Sequence, residues 1–224
     1  MGTFIVGCDL GKVVDYTAIA IIEKIPAPLV MPETLPDPRY PARPPVPAGP
    51  PSLHLRHLER VPKGTSYPNV VLLVGSRKAA LGQSHGAPAL VVDHTGVGVA
   101  VVDLFKDARL DPIAITITGG DTVSRDGNHY RVPKRELVTT TQVAMQQGHL
   151  KFAATLPSLS ILKAELSAFT YKLSAAGHDS YAAWRERDHD DLVLAVALAV
   201  WYAEYTPTQA YHDDHPYTDF YQAI

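Results

Sequence analysis

The stretch TFIVGCDLGKVVDYTAIAIIEK, residues 3–24, decides how this chain is built. Thr3 to Leu10 is apolar or small except for Asp9, and Gly11 then supplies a turn. Tyr16 to Lys24 reads as a second strand that follows almost at once, so the two are expected to pair antiparallel. An acid closing an otherwise apolar strand is locally awkward, and Asp9 is the first residue that needs a reason.

Downstream, Pro26 to Pro51 holds a large share of the chain's 19 prolines. Proline denies backbone donors to ladders and helices, so residues 26–51 read as an extended, partly polyproline-like insertion. Ser52 to Val61 (SLHLRHLERV) makes a third strand, and strict alternation puts His54 and His57 on opposite faces. Tyr67 to Leu81 is a helix ended by Gly82. Ala89 to Asp93 (ALVVD) is continuously apolar until its final acid, the look of a strand buried on both faces. A helix over Val97 to Ala108 and a strand over Asp111 to Thr118 follow. Thr122 to Val132, with Asp126-Gly127-Asn128 at its centre, reads as a hairpin. Pro133 opens a helix to about Gln147, Leu156 to Phe169 is another helix, Tyr171 to Trp184 a short hairpin, and Asp190 to Tyr205 a last apolar helix closed by Pro207.

Three strands, then helix, strand, helix and strand, with a long apolar helix late in the chain, predict an α/β layered protein. Several folds share that order, among them the RNase H-like mixed sheet, three antiparallel strands then parallel ones, flanked by helices. Residues 1–206 are expected to form one domain and 207–224 a polar, aromatic tail.

Composition narrows the function classes. With 46% hydrophobic and 19% charged residues the chain is globular. A net charge of −3 gives no global basic field, though a local basic groove can sit on an acidic protein. Cys8 is the sole cysteine, which excludes a disulfide framework and a thiolate metal site and suits a reducing compartment. The apolar run Leu192 to Ala203 is too short for a bilayer, and the first residues lack the features of a signal peptide. A soluble, cytoplasmic protein with no membrane partner is expected.

The awkward acids are Asp9, Asp93 and the pair Asp190 and Asp191, which opens a helix otherwise made of Ala, Leu and Val. If the first and fourth strands lie side by side, Asp9 and Asp93 face each other at a carboxyl-terminal sheet edge, where ligands gather. A helix packed across them delivers Asp190 from its first turn. Carboxylates crowded together raise one another's pKa unless a cation keeps them ionised. Hard oxygen ligands select Mg²⁺ or Mn²⁺, and two such ions can clamp an in-line phosphoryl displacement. That chemistry needs no protein nucleophile, in keeping with the absence of a Ser/His/Asp or Cys/His constellation. Each acid also has a local reading, Asp9 shaping the turn at Gly11, Asp93 capping the next helix, Asp190 as an N-cap and Asp191 as a dipole partner.

The words around the acids carry a family resemblance. GCDLGKVVDYTAIAII (7–22), VVDHTGVGVAVVDLF (91–105) and HDDLVLAVALAVWYA (189–203) resemble the three nuclease segments of phage terminase large subunits. YPNVV (67–71), LKAELSAF (162–169) and the Gly-x-x-Ser-Tyr stretch from Gly177 to Tyr181 fit too, so the likeness runs from Thr3 to about Tyr205. The resemblance implies an RNase H-like fold and a metal-dependent endonuclease that cuts a concatemer of double-stranded DNA during genome packaging. It also implies a terminase ATPase domain, a portal and a small terminase subunit as partners. It matches Asp9, Asp93 and the pair Asp190 and Asp191 to metal ligands and catalytic residues; Asp190 is expected to be the nearer ligand and Asp191 an auxiliary one, an order that sequence itself does not rank. Asp15 matches a further acid but is expected to position the turn with Thr17, and Glu165 to support a helix interface. Arg125, His129, Arg131 and Lys172 are the DNA-contact candidates, for each of which a solvated charge is the default.

Two features depart from full terminases: no Gly-x-x-x-x-Gly-Lys-Ser/Thr phosphate loop is present, and the proline-rich insertion is additional. Three rival readings stand beside this one. A Holliday-junction resolvase or transposase would use the same acids on branched DNA, and a sugar-kinase-type ATPase would bind nucleotide. A non-catalytic docking module would cut nothing.

Overall fold

The structure, a computed structural model, describes residues 2–11, 15–31, 45–96, 98–175 and 190–206. Strands β1 (Thr3–Asp9) and β2 (Thr17–Ile25) form the expected antiparallel pair, with Asp9 opposite Ala18. Of the proline-rich insertion, residues 26–31 and 45–51 are described, and there β3 (Leu29–Val30) and β4 (Val46–Pro47) pair as a two-stranded antiparallel ribbon.

Strand β5 (Ser52–Val61) pairs antiparallel with β2, and a register shift between Ile21 and Ile22 leaves Arg56 unmatched as a bulge. Such an extra residue breaks the two-residue alternation. The signature lies in the leucines, whose spacing changes from two (Leu53, Leu55) to three (Leu55, Leu58) while all three stay in one core. His54 and His57 therefore lie on the same face, contrary to strict alternation. His57 Nε2 contacts Glu59 there at 3.1 Å, and His54 Nε2 bonds the Ser52 hydroxyl at 2.8 Å.

Helix α1 (Tyr67–His85) runs through Gly82 and stops at Gly86, whose φ of +80° only glycine adopts without strain. Strand β6 (Ala89–Asp93), helix α2 (Gly98–Asp107) and strand β7 (Ile113–Thr118) follow the expected order. The hairpin of β8 (Ser124–Asp126) and β9 (His129–Pro133) turns at Gly127, and α3 (Lys134–Gln146) leaves it directly. Strand β10 (Leu150–Phe152) was not foreseen, being three residues long and without alternation. Helix α4 (Leu159–Ala175) starts later than expected and continues through Tyr171, since neither Gly nor Pro interrupts it before Gly177. That overturns the hairpin at 171–175, and its remainder lies outside the described residues. Helix α5 (Asp191–Tyr205) closes the fold.

The eight strands run in the order β10-β5-β2-β1-β6-β7-β9-β8. At its centre β5, β2 and β1 are antiparallel neighbours, and β6 and β7 continue parallel to β1. This is the RNase H-like mixed sheet that the resemblance implies.

One face packs against α1 and α2, through Val6, Cys8, Leu90 and Val92. The other receives α5, through Ala18, Ala20, Val91 and Ile115. Helix α5 is buried almost all round, as a helix between a sheet and further helices must be. Gly7 lets it approach closely: a Cβ there would overlap the Ala195 carbonyl oxygen and lie 3.0 Å from Ala199 Cβ. Buried Lys24 ties down the far end of α5, donating from Nζ to the carbonyls of Ala203 at 2.6 Å and Thr206 at 2.7 Å. Those carbonyls lack partners within the helix, and a cation suits that end of its dipole. No helix among the described residues is long and apolar enough to cross a membrane.

Candidate metal centre

Parallel pairing of β1 with β6 runs from Ile5 opposite Ala89 to Cys8 opposite Val92. One step further brings Asp9 level with Asp93. Both follow, at a spacing of two, residues on the α5 face: Gly7, which abuts Ala195, and Val91 of that core. The two carboxylates thus share a face at the carboxyl ends of adjacent strands, whose backbones lie about 5 Å apart. Cys8, buried on the opposite face one residue before Asp9, registers both: burial raises its thiol pKa most, and the charges of Asp9 and Asp93 raise it further.

The same row extends across the sheet. Asp9 pairs with Ala18, and Ala18 with Arg60. In the other direction Asp93 pairs with Ile115, Ile115 with Tyr130 and Tyr130 with Arg125. Two arginines therefore bracket the acids on one face. Arg60 would point away from α5 if β5 alternated from Leu53 without its bulge.

Helix α5 brings the third carboxylate to this row. Asp191 lies in its first turn, one turn before the Ala195 that touches Gly7, and its Oδ2 is 3.5 Å from Arg60 Nη2. The same nitrogen is 2.6 Å from Glu165 Oε1 on α4. Asp190 occupies the N-cap position, yet no side-chain hydrogen bond from it caps the helix. The acceptor is instead Glu165 Oε2, which takes the Val193 N–H at 3.1 Å. Arg60 also lies over the Tyr16 ring at 4.8 Å, and Lys63 lies over it at 4.5 Å. Asp9, Asp93 and Asp191 are each 7% exposed and Glu165 8%, so four acids sit in a little-hydrated region.

Burial pushes the Glu165 carboxyl up from 4.5 to about 7. The Val193 N–H and Arg60 pull it down, and Asp191 and Asp190 push it up again. An acid whose pKa rises on folding binds its proton more tightly in the native state. Its contribution to stability is therefore full below 4.5 and falls away as pH rises to about 7. Glu165→Gln is expected to flatten the stability–pH curve across that window, measured by urea unfolding. An unaltered slope would refute the burial argument.

The sequence candidates fall into distinct places. Asp9 and Asp93 come together, and Asp191 joins their row through Arg60. One Asp93 oxygen, Oδ1, accepts the Thr95 N–H at 2.7 Å, in the turn that follows β6 and ahead of α2. Thr17, through Oγ1, accepts the Gly11 N–H at 3.1 Å and braces the first turn, while Asp15 is exposed beside it. Arg125 is exposed on the carboxylate face. His129 and Arg131 project from the opposite face, where His129 bonds the Thr116 hydroxyl at 2.8 Å. Lys172 lies on α4, its side chain outside the described residues. Sequence reasoning missed Arg60 altogether and gave Glu165 only an interface role. The broken leucine spacing was the available signal for the first.

Among the described residues no three Asp, Glu, His or Cys side chains form a group able to hold a metal ion. The row supplies instead a seat of two carboxylates, with Asp191 held toward Arg60. Mg²⁺ is commonly held by one or two carboxylates and completes its shell with water and phosphate oxygens. The all-oxygen donor set therefore fits such an ion.

No protein-family model and no curated protein matches this chain. Solved structures do. The large terminase nuclease from thermophilic phage G20c, in a crystal with bound magnesium, aligns over 89% of this chain and 80% of its own at 18% identity, with a TM-score of 0.51. The Mn-soaked human cytomegalovirus terminase nuclease domain aligns over 94% and 86% at 12% identity, with a TM-score of 0.44. Thermus thermophilus RuvC aligns over 91% and 94% at 13% identity, with a TM-score of 0.39. At these identities the phage nuclease gives the fold, and the chain has that fold.

Proposed function

We propose that this chain is a divalent-metal-dependent endonuclease that hydrolyses phosphodiester bonds of double-stranded DNA. The observation that carries the reading is the pair Asp9 and Asp93, buried side by side on the face that also receives Asp191. Two buried carboxylates at this spacing repel, and a fold keeps such an arrangement where a cation offsets the cost. Asp9 and Asp93 would hold the metal, with Asp191 and its neighbour Asp190 completing the protein's share. Mg²⁺ or Mn²⁺ bound there would activate water and stabilise the departing 3′ oxygen.

The chain's own residues supply the rest. Rigid strand ends fix the two carboxylates, and α5 shields them from bulk water on one side. Arg125 on the carboxylate face, with Lys63 beside Tyr16, would meet the phosphates of a duplex. The lack of a base-reading motif suits cutting with little sequence preference. The terminase likeness extends the proposal to concatemer cutting during genome packaging, beside an ATPase domain, a portal and a small terminase subunit. Residues 1–206 would form the nuclease domain and 207–224 a tail.

A plasmid assay tests the reading. Supercoiled DNA is expected to be nicked and linearised with Mn²⁺ or Mg²⁺ and left intact in EDTA. Equal cutting in EDTA would end the metal reading, and no cutting under any divalent ion would end the nuclease reading.

A further inference from the structure

We propose that Arg60 and Glu165 are positioning residues that hold Asp191 at the level of Asp9, acting through the first turn of α5. This rests on the metal-centre reading above and names two residues that resemblance did not assign to the site.

Three contacts carry it. A single nitrogen, Arg60 Nη2, reaches both Glu165 and Asp191, at 2.6 and 3.5 Å. The second Glu165 oxygen takes the Val193 N–H at 3.1 Å, a donor that the Asp190 side chain leaves to it. Arg60 itself stands in register with Asp9, two strands away through Ala18. Glu165 is thus an N-cap supplied from another helix, and Arg60 is the strut between that cap and the sheet row. Helix termini fray unless their first amides are satisfied. A frayed first turn would let Asp191 leave the row.

An alternative role for Arg60, plain charge compensation, predicts the opposite result. Deleting a positive charge beside a cation site should tighten metal binding. Deleting a strut should weaken it, by roughly the 10- to 100-fold seen when outer partners of metal ligands are lost. The sign therefore decides.

The test uses the full chain and Mn²⁺ followed by calorimetry, with amide hydrogen exchange at Val193. Arg60→Met is expected to weaken Mn²⁺ binding about tenfold or more. Arg60→Lys should recover part of it, since one ammonium can replace the one nitrogen that bridges. Glu165→Ala should speed exchange at Val193 and weaken Mn²⁺ binding with it. Binding by Arg60→Met that is unchanged or tighter overturns the proposal, as does unchanged Val193 exchange in Glu165→Ala. If Arg60→Met does not fold, Arg60→Lys and Glu165→Ala decide by the same two readouts. Asp9→Ala separates the two levels. If it binds Mn²⁺ as the parent does, the metal centre is what fails. If it loses binding while Arg60→Met and Glu165→Ala keep it, only the positioning role fails.

Discussion

Asp9→Ala and Asp93→Asn are expected to leave a folded protein that no longer cuts DNA. Each removes one of two carboxylates that lie level on adjacent strands and face α5. The loss should reach about a thousandfold or more, beyond the 10- to 100-fold that follows removal of an outer partner. Stability should move the other way or not at all. Both side chains are only 7% exposed, and neutralising either relieves repulsion and a desolvation penalty. Asparagine is the cleaner choice at position 93, because its carbonyl can still accept the Thr95 N–H that Oδ1 now takes. Melting curves beside plasmid-cutting rates check both halves. An Asp93→Asn protein that still cuts at the parental rate would remove Asp93 from the centre.

Gly7→Ala is expected to cost about 3 kcal/mol or more, at or above the top of the usual range for overpacking. The added methyl would meet the Ala195 carbonyl oxygen, a backbone atom that no rotamer change can withdraw. Helix α5 would have to lift from the sheet, carrying Asp191 with it, so cutting should fall together with stability. Urea unfolding and metal-dependent cutting measure the two effects. A shift within about 0.5 kcal/mol, the range of neutral surface changes, would mean the helix yields easily.

The sheet was largely legible because its central strands are buried on both faces and so are written as unbroken apolar runs. ALVVD at 89–93 matches its strand end to end, and SLHLRHLERV at 52–61, legible by alternation instead, does likewise. The acids stood out for the same reason, as single charges closing those runs. Less legible was whatever depends on contact rather than pattern. Gly82 looks like a stop, yet the helix passes it because Gly86 holds the positive φ. Strand β10 is three residues long and exists by pairing with β5. Gly7 reads as a minor weakness in a strand until a helix lies against it. Arg60 is charged, on a strand, and by simple alternation faces the wrong way. Its place in the site follows from the register shift at Arg56 and from Glu165, a partner 105 residues away.

That shift gives β5 a spare link. Omitting residue 56 would spell SLHLHLERV, an uninterrupted zigzag in which Leu53, Leu55, Leu58 and Arg60 keep their present orientation. The surplus unit is stored at the water-facing Arg56, whose guanidinium rests on Glu23 at 2.7 Å. Shortening the chain there by one would leave the inward set of side chains intact. The strand thus has one place where its length is adjustable without re-addressing the groups that look onto the acids.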